Sequence, residues 1–285
     1  MPILIDGSQF LISSLMSQIK FQKDVSEDMI RHILLNSIRM YRAKFVKEYG
    51  EVVICMDNKD HWRKDVFKHY KANRKKARAS SGLDWKEIFR IFNVIQDELE
   101  QIFPYKFITV PRCEGDDIIA TICRFTNPDE KILILSSDKD FKQLHKYANV
   151  KQYDPTKKQW IKENNPELYL REHIIRGDSS DGVPNMLSAD DILIADGKRQ
   201  KPVTEKALKE WLSVSEDEFY NNLPSDQQSH YMRNKMLIDL SKIPDEIEEI
   251  IMDEYRKPVV GQRSKIMNYF IKHRMKMLME CLGDF

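Results

Sequence analysis

Four short apolar runs, separated by long stretches of helical periodicity, leave this chain little choice of architecture. The runs are Ile3 to Ile5, Val52 to Cys55, Phe107 to Val110 and Ile132 to Leu135. Short continuous runs of this kind read as strands covered on both faces. Between them, Ser26 offers an N-cap to a helix that carries Ile30, Leu34, Ile38, Tyr41 and Phe45 on one stripe and stops at Gly50. A second stripe runs from Trp85 through Ile88, Phe92, Ile95 and Leu99 to Ile102 and closes at Pro104, and a third helix spans about Asp116 to Phe125. Strand and helix alternate throughout, so the expected fold is α/β, a central and mostly parallel sheet with helices on both faces.

The texture changes after Leu135. Val150 to Tyr153 and Gln159 to Ile161 flank a segment opening with Asp154, Pro155 and Thr156, which predicts a hairpin. Beyond it, helices are expected at about Pro166 to Ile175, Thr204 to Leu212, Ser225 to Leu240, Pro244 to Tyr255 and Arg263 to Leu282. This divides the chain into a core over 1–175 and a helical C-terminal subdomain over 176–285. With 41% hydrophobic and 32% charged residues the composition suits a packed core and argues against a disordered chain. No apolar stretch approaches the roughly 18 residues of a membrane span. Asp6 interrupts the first apolar run too early for a secretory signal, so an intracellular, cytoplasmic protein is expected. Cys55, Cys113, Cys123 and Cys281 fit neither a redox pair nor a zinc ribbon and are expected as free thiols.

The strands end in acid. Asp6, Asp57, and the pair Asp138 and Asp140 follow three of the runs, and Glu114, Asp116 and Asp117 follow the fourth within a few residues. In an open parallel sheet the carboxyl ends of the strands share one edge, where ligands bind, so these side chains should converge. Asp178 and Asp181 lie in a loop just beyond the sheet. Asp is also a common helix cap, and any one of the nine has that plainer explanation. As a set they would repel, each pair about 4 Å apart by on the order of 1 kcal/mol even in water. A positive partner is needed, and an oxygen-only cluster selects hard cations, Mg²⁺ or Mn²⁺ before zinc. His61 and His145 follow two of the acids and are expected on the surface rather than as ligands.

Between Lys59 and Arg78 stand nine basic residues, Lys59, Arg63, Lys64, Lys68, Lys71, Arg74, Lys75, Lys76 and Arg78, against the acids Asp60 and Asp65. The segment carries 9 − 2 = +7 in a chain whose formal total is +1, so the other residues carry −6. Trp62, Phe67 and Tyr70 interleave with the bases, a pairing suited to phosphates and stacked bases; a solvated charged face is the alternative. Because the segment follows Asp57 directly, it should overhang the acidic edge. Cations held by acids beneath a basic strap suggest phosphodiester chemistry, with two metal ions about 3.5–4 Å apart. No glycine-rich phosphate loop and no GxSxG nucleophile motif is present.

Five blocks in order resemble the signatures of the flap endonuclease and 5′-nuclease family: Leu4-Ile5-Asp6, Tyr70 to Lys75, Glu114 to Asp117, Ser137 to Phe141 with Gln143-Leu144, and Gly177 to Pro184. The likeness extends over nearly the whole chain and is greatest to bacteriophage members of the family. It implies a PIN-like nuclease core with an arch over 59–80. Asp6, Asp57, Asp116 and Asp138 would surround a first metal, Glu114 and Asp117 supporting it, and Asp140, Asp178 and Asp181 would hold a second. Lys71 and Arg74 would reach the scissile phosphate, and Tyr70 would stack on a terminal base or serve structurally. Arg63, Lys64, Lys68, Lys75, Lys76 and Arg78 would contact nucleic acid. The cofactor implied is Mg²⁺, two ions, with Mn²⁺ substituting.

The implied activity is that of a metal-dependent 5′-to-3′ nuclease, exonuclease and flap endonuclease, removing RNA primers from lagging-strand fragments and leaving 5′-phosphate and 3′-hydroxyl ends. Its substrates would be RNA/DNA hybrids and nicked or flapped duplexes. A single-strand-binding protein and a sliding clamp are the implied partners of a monomer in the host cytoplasm. One departure stands out: Gly182 replaces a family Asn, and Asn185 to Ala189 occupy a stretch where relatives carry phosphate-gripping glycines. Lys198 and Arg199 could replace that grip with side-chain charge. The rival readings are a PIN-type single-strand ribonuclease and a non-catalytic nucleic-acid-binding module.

Overall fold

The computed structural model describes residues 1–19, 26–195 and 197–285 of the chain. One six-stranded sheet runs in the order β3-β2-β1-β4-β5-β6, with β1 Ile3–Asp6, β2 Val52–Met56, β3 Lys106–Thr109, β4 Ile132–Leu135, β5 Val150–Asp154 and β6 Gln159–Ile161. All neighbours are parallel except β5 and β6, the expected hairpin. Its turn is fixed by Asp154, whose Oδ1 accepts from the Thr156 and Lys157 amides at 2.8 and 3.0 Å. The chain moves outward from β1 through β2 to β3, then returns to pair β4 with the other side of β1. That reversal opens a crevice between the carboxyl ends of β1 and β4.

Successive side chains point to opposite faces, and two cores follow from this. Ile3, Ile5, Val52, Ile54, Leu133 and Leu135 join helices α1 (Gly7–Ile19) and α2 (Glu27–Tyr49) and the helix over Trp85–Ile102 on one face. Leu4, Val53, Cys55, Ile108, Ile132 and Ile134 join the helix over Gly115–Phe125 on the other. The α2 boundaries are those expected: Ser26 Oγ accepts from the Met29 amide at 3.2 Å, and Gly50 ends the helix. The α1 helix was not legible in the sequence, since it begins directly after Asp6 with no linker.

The basic segment forms α3 (Arg63–Val66) and α4 (Ala72–Ser80), followed by α5 (Trp85–Ile102) and α6 (Gly115–Phe125). After the hairpin come α7 (Pro166–Arg176), α8 (Glu205–Leu212), α9 (Glu216–Asn221), α10 (Ser225–Ile238), α11 (Asp245–Arg256), α12 (Arg263–Lys272) and α13 (Lys276–Met279). The chain beyond 175 does not pack as one separate body. Helices α7 to α10 build a third core that takes in Phe67 and Tyr70 of the basic segment. Ile247 and Ile251 of α11 cover one face of the sheet, and Ile266, Phe270, Met275, Leu278 and Phe285 cover the other.

The single helix expected over 263–282 is broken at Arg274, whose φ is 54°. The break turns the chain so that Met275, Leu278 and the terminal Phe285 all reach the core. Gly261 sets up this return: a Cβ there would lie 1.9 Å from the Phe103 carbonyl oxygen, and the neighbouring Gln262 amide donates to the Ile102 carbonyl at 3.0 Å. Gly261→Ala is expected to destabilise the protein by about 1–3 kcal/mol, the usual range for overpacking. Denaturant unfolding checks this, and a midpoint equal to wild type would refute the close approach.

Candidate active site

The capping explanation for the strand-end acids and the clustering explanation both hold, because each carboxylate has two oxygens. Asp6 Oδ1 accepts from the Gln9 amide at 3.0 Å at the start of α1, Asp57 Oδ1 from the Gly115 amide at 2.8 Å at the start of α6, and one Asp138 oxygen from the Asp140 amide at 3.0 Å. One oxygen of each is committed to backbone. Asp6 Oδ2 is bridged toward β4 by Ser136 Oγ at 3.2 Å. Gln9 ties the same edge together, its Oε1 accepting from the Ser136 and Ser137 hydroxyls and the Ser137 amide. Asp57 is exposed, Asp6 buried, and Asp116 and Asp138 half-buried.

Burial pushes the Asp6 carboxyl up to about 7, with Asp57 and Asp138 adding repulsion. Asp140 is likewise pushed to about 7 by burial and by Asp138, and Asp116 and Asp138 are raised for the same reasons. Four carboxyls raised together are the electrostatic signature of a site that wants a cation.

A raised carboxyl pKa favours the folded state at low pH. The stabilisation is complete below the unfolded value of 3.8 and is lost as pH rises through about 7. The metal-free wild type should therefore lose a few degrees of thermal midpoint relative to Asp140→Asn between about pH 5 and about pH 8. Scanning fluorimetry in EDTA tests this; parallel pH profiles for the two proteins would contradict it.

Asp178 and Asp181 come to the same place from the loop after α7. Arg63, Tyr70, Asp116, Asp140, Asp178 and Asp181 line one small cleft. Asp178 is already saturated: its Oδ1 accepts from the Ser180 amide and hydroxyl at 2.8 and 2.6 Å, and its Oδ2 faces Lys139 Nζ at 3.0 Å and His173 Nε2 at 3.2 Å. These partners hold its carboxyl well below the usual range despite its burial. His173 has no counterpart among the residues singled out from the sequence. It lies inside α7, where neither spacing nor composition marks it.

The basic segment, the expected arch, is fastened to this cleft through residues 69–74. Lys71, in the left-handed region at φ 57°, donates its amide to the Asp181 carbonyl at 2.7 Å, and its Nζ pairs with Glu114 Oε1 and lies 3.4 Å from Asp181 Oδ2. Arg74 pairs with Asp181 Oδ1. The Lys71 and Arg63 cations hold Glu114 down at about 2 against the opposing effect of burial. Gly182, at φ 73°, gives the arch room to sit: a Cβ there would lie 3.1 Å from the His69 carbonyl oxygen. Asn73 Nδ2 completes the seam by donating to the Ser179 carbonyl at 2.7 Å.

Several expectations for the arch are corrected. Trp62, Phe67 and Tyr70 are buried, so none offers a face for base stacking. Tyr70 instead donates between Glu114 Oε2 at 2.8 Å and Asp181 Oδ2 at 3.0 Å. Arg63 is 2% exposed and is withdrawn from any nucleic acid, donating to both oxygens of Asp117, to Glu114 Oε2 and to the Leu237 carbonyl. Asp117 is fully buried and also accepts from Trp62 Nε1 and the Glu114 amide, which makes it the counter-ion of Arg63.

Arg78 lies over the rings of Trp85 and Phe89. Lys64 and Lys68 are exposed, and the side chains of Lys75 and Lys76 lie outside the described residues. His61 and His145 are half-buried rather than on the surface; His145 Nδ1 accepts from the Glu163 amide at 3.0 Å.

Where glycines were missing, side chains do the stitching. Asn185 donates through Nδ2 to the Lys201 carbonyl and accepts the Leu187 amide, while Gln200 Oε1 accepts the Asn185 amide. This fastens the loop bearing Lys198 and Arg199, both exposed, with Lys198 paired to Asp191 at 2.9 Å.

Comparison with known proteins agrees with this geometry. The 5′-3′ exonuclease N-terminal resolvase-like domain matches residues 2–172, and the C-terminal domain of T4 RNase H matches residues 164–285. Ribonuclease H of Enterobacteria phage T4 is 34% identical over 291 aligned residues, covering 99% of this chain and 95% of that protein. A 5′-3′ exonuclease of Buchnera aphidicola subsp. Schizaphis graminum is 26% identical over 196 residues, 65% of this chain and 64% of that one. Among solved structures, the D15 flap endonuclease of bacteriophage T5, in a complex with DNA and metal ions, aligns at a TM-score of 0.62 and 14% identity over 90% of this chain and 99% of that one. That likeness is one of fold.

Proposed function

The chain belongs to the 5′-3′ exonuclease family and is a 5′-3′ nuclease that hydrolyses phosphodiester bonds; on that premise we propose that it removes RNA primers and adjoining DNA from lagging-strand fragments, as exonuclease and flap endonuclease. The observation that carries this reading is the docking of Lys71 and Arg74 on the acids of the crevice. A polyanion entering the cleft meets acids that need cations and bases that can exchange their carboxylate partners for a phosphate.

Asp6, Asp57, Asp116 and Asp138 would hold a first divalent ion and Asp140 and Asp181 would border a second, Mg²⁺ with Mn²⁺ substituting. The buried Oδ1 of half-buried Asp140, without a hydrogen-bond partner among the described residues, and the raised carboxyls fit such a cation. Ions of this kind supply a lowered pKa for the attacking water and charge neutralisation at the leaving oxygen. Lys71 and Arg74 neutralise charge on the phosphoryl oxygens, and Lys64, Lys68, Lys198 and Arg199 attract the duplex backbone. In-line attack by water leaves 5′-phosphate and 3′-hydroxyl ends. A single-strand-binding protein and a sliding clamp are the proposed partners of this monomer, in the cytoplasm of the host.

A panel of RNA/DNA hybrid, nicked, flapped, blunt and unstructured single-stranded RNA substrates in Mg²⁺ tests the proposal. Hybrids and flaps with free 5′ ends should be cut fastest. Faster cleavage of unstructured RNA would instead favour a single-strand ribonuclease.

A further inference from the structure

The group formed by Asp140, His173 and Asp178 has ligand atoms within 4.8 Å of one another, and its internal hydrogen bonding is unequal. His173 is 6% exposed. Its Nε2 faces Asp178 Oδ2 at 3.2 Å, and an ionised carboxylate only accepts, so Nε2 carries the proton. In the neutral ring Nδ1 then bears a lone pair. The atom it meets is Asp140 Oδ1 at 3.4 Å, and neither has a hydrogen-bond partner among the described residues. Two buried lone pairs facing each other need a proton or a metal cation between them.

A proton between them, carried by the ring or by Asp140, would be expected to draw the pair to about 2.7–2.9 Å, the length of a hydrogen bond. The observed gap is wider. The separation leaves both atoms free to bind a shared cation. Asp178, saturated by Ser180 and Lys139, is placed as the carboxylate that fixes ring orientation and tautomer in many metal-bound histidines.

We propose that His173, through Nδ1, shares a divalent cation with Asp140 while Asp178 orients its ring, which makes this position a mixed nitrogen and oxygen site preferring a transition-metal dication, Mn²⁺, over Mg²⁺. The inference rests on the metal-dependent nuclease reading and sharpens it. Oxygen donors suit Mg²⁺ and Mn²⁺ alike, whereas an imidazole adds affinity chiefly for transition metals.

Calorimetric titration of the metal-free protein and of His173→Gln with Mn²⁺ and with Mg²⁺ tests the preference. The variant should lose roughly tenfold or more in Mn²⁺ affinity, and its Mg²⁺ affinity should change by less than about threefold. Equal losses for both ions would overturn the proposal. A second arm needs no variant: the wild type with ¹⁵N-labelled histidines is titrated with Zn²⁺ as a diamagnetic probe. The His173 Nδ1 resonance should shift on binding while Nε2 keeps its proton; an imidazole protonated on both nitrogens throughout would overturn it. If the wild type binds no divalent ion at all, the metal-dependent reading falls, and this inference falls with it.

Discussion

Asp138→Asn is expected to lower cleavage of an RNA/DNA hybrid in Mg²⁺ by about a thousand-fold, since a charge that positions a catalytic cation is worth several kcal/mol and each 1.4 kcal/mol is a factor of ten. The substitution separates chemistry from folding. The side-chain oxygen of Asn can still accept from the Asp140 amide, so the turn after β4 keeps its cap. Burial raises the pKa of Asp138, with Asp181 and Asp178 adding repulsion, so removing its charge should leave the metal-free fold as stable as wild type or more so. The measurement is initial cleavage rate beside thermal midpoint in EDTA. A variant cutting within about threefold of wild type would remove Asp138 from the metal site, while an inactive variant with a collapsed midpoint would mean that the loss reports unfolding.

The sheet was legible because its strands are short, continuous and covered on both faces, and that pattern belongs to few architectures. The convergence of Asp6, Asp57, Asp116 and Asp138 was legible too, since it follows from parallel strands ending at one edge. What the residues concealed was partnership across long separations. Arg63 lies in a run of bases and reads as one more cation for phosphate, yet Asp117, 54 positions later, accepts both of its terminal nitrogens and takes it out of solvent. Trp62, Phe67 and Tyr70 read as stacking platforms for the same reason; Phe67 and Tyr70 anchor the segment because α7 to α10 supply a core beneath them, and Trp62 packs into the core shared with α6 and α11. His173 carried no local signal. Its meaning depends on Asp140, 33 residues earlier on another element, and on which ring nitrogen Asp178 engages.

Lys71→Ala should reduce kcat for hybrid and flap cleavage by roughly 10²–10³-fold, the cost of losing one preorganised donor to a developing oxyanion. Lys71 now spends its charge on Glu114 and Asp181, so its loss removes a cation that competes with metal for the same acids. Divalent affinity measured by calorimetry should therefore stay within about threefold of wild type or tighten. Glu114 keeps Arg63 and Tyr70 as partners, which limits structural damage. Lys71→Met retains the apolar stem and distinguishes lost packing from lost charge; both variants should be slow if charge is what matters. Lys68→Ala supplies the contrast, because Lys68 is exposed and should act through long-range attraction alone. Its defect should appear in KM, shrink as salt rises, and leave kcat unchanged. If Lys71→Ala instead raises KM with kcat intact, Lys71 binds ground state and transition state equally, and the arch serves to capture substrate while taking no part in the chemical step.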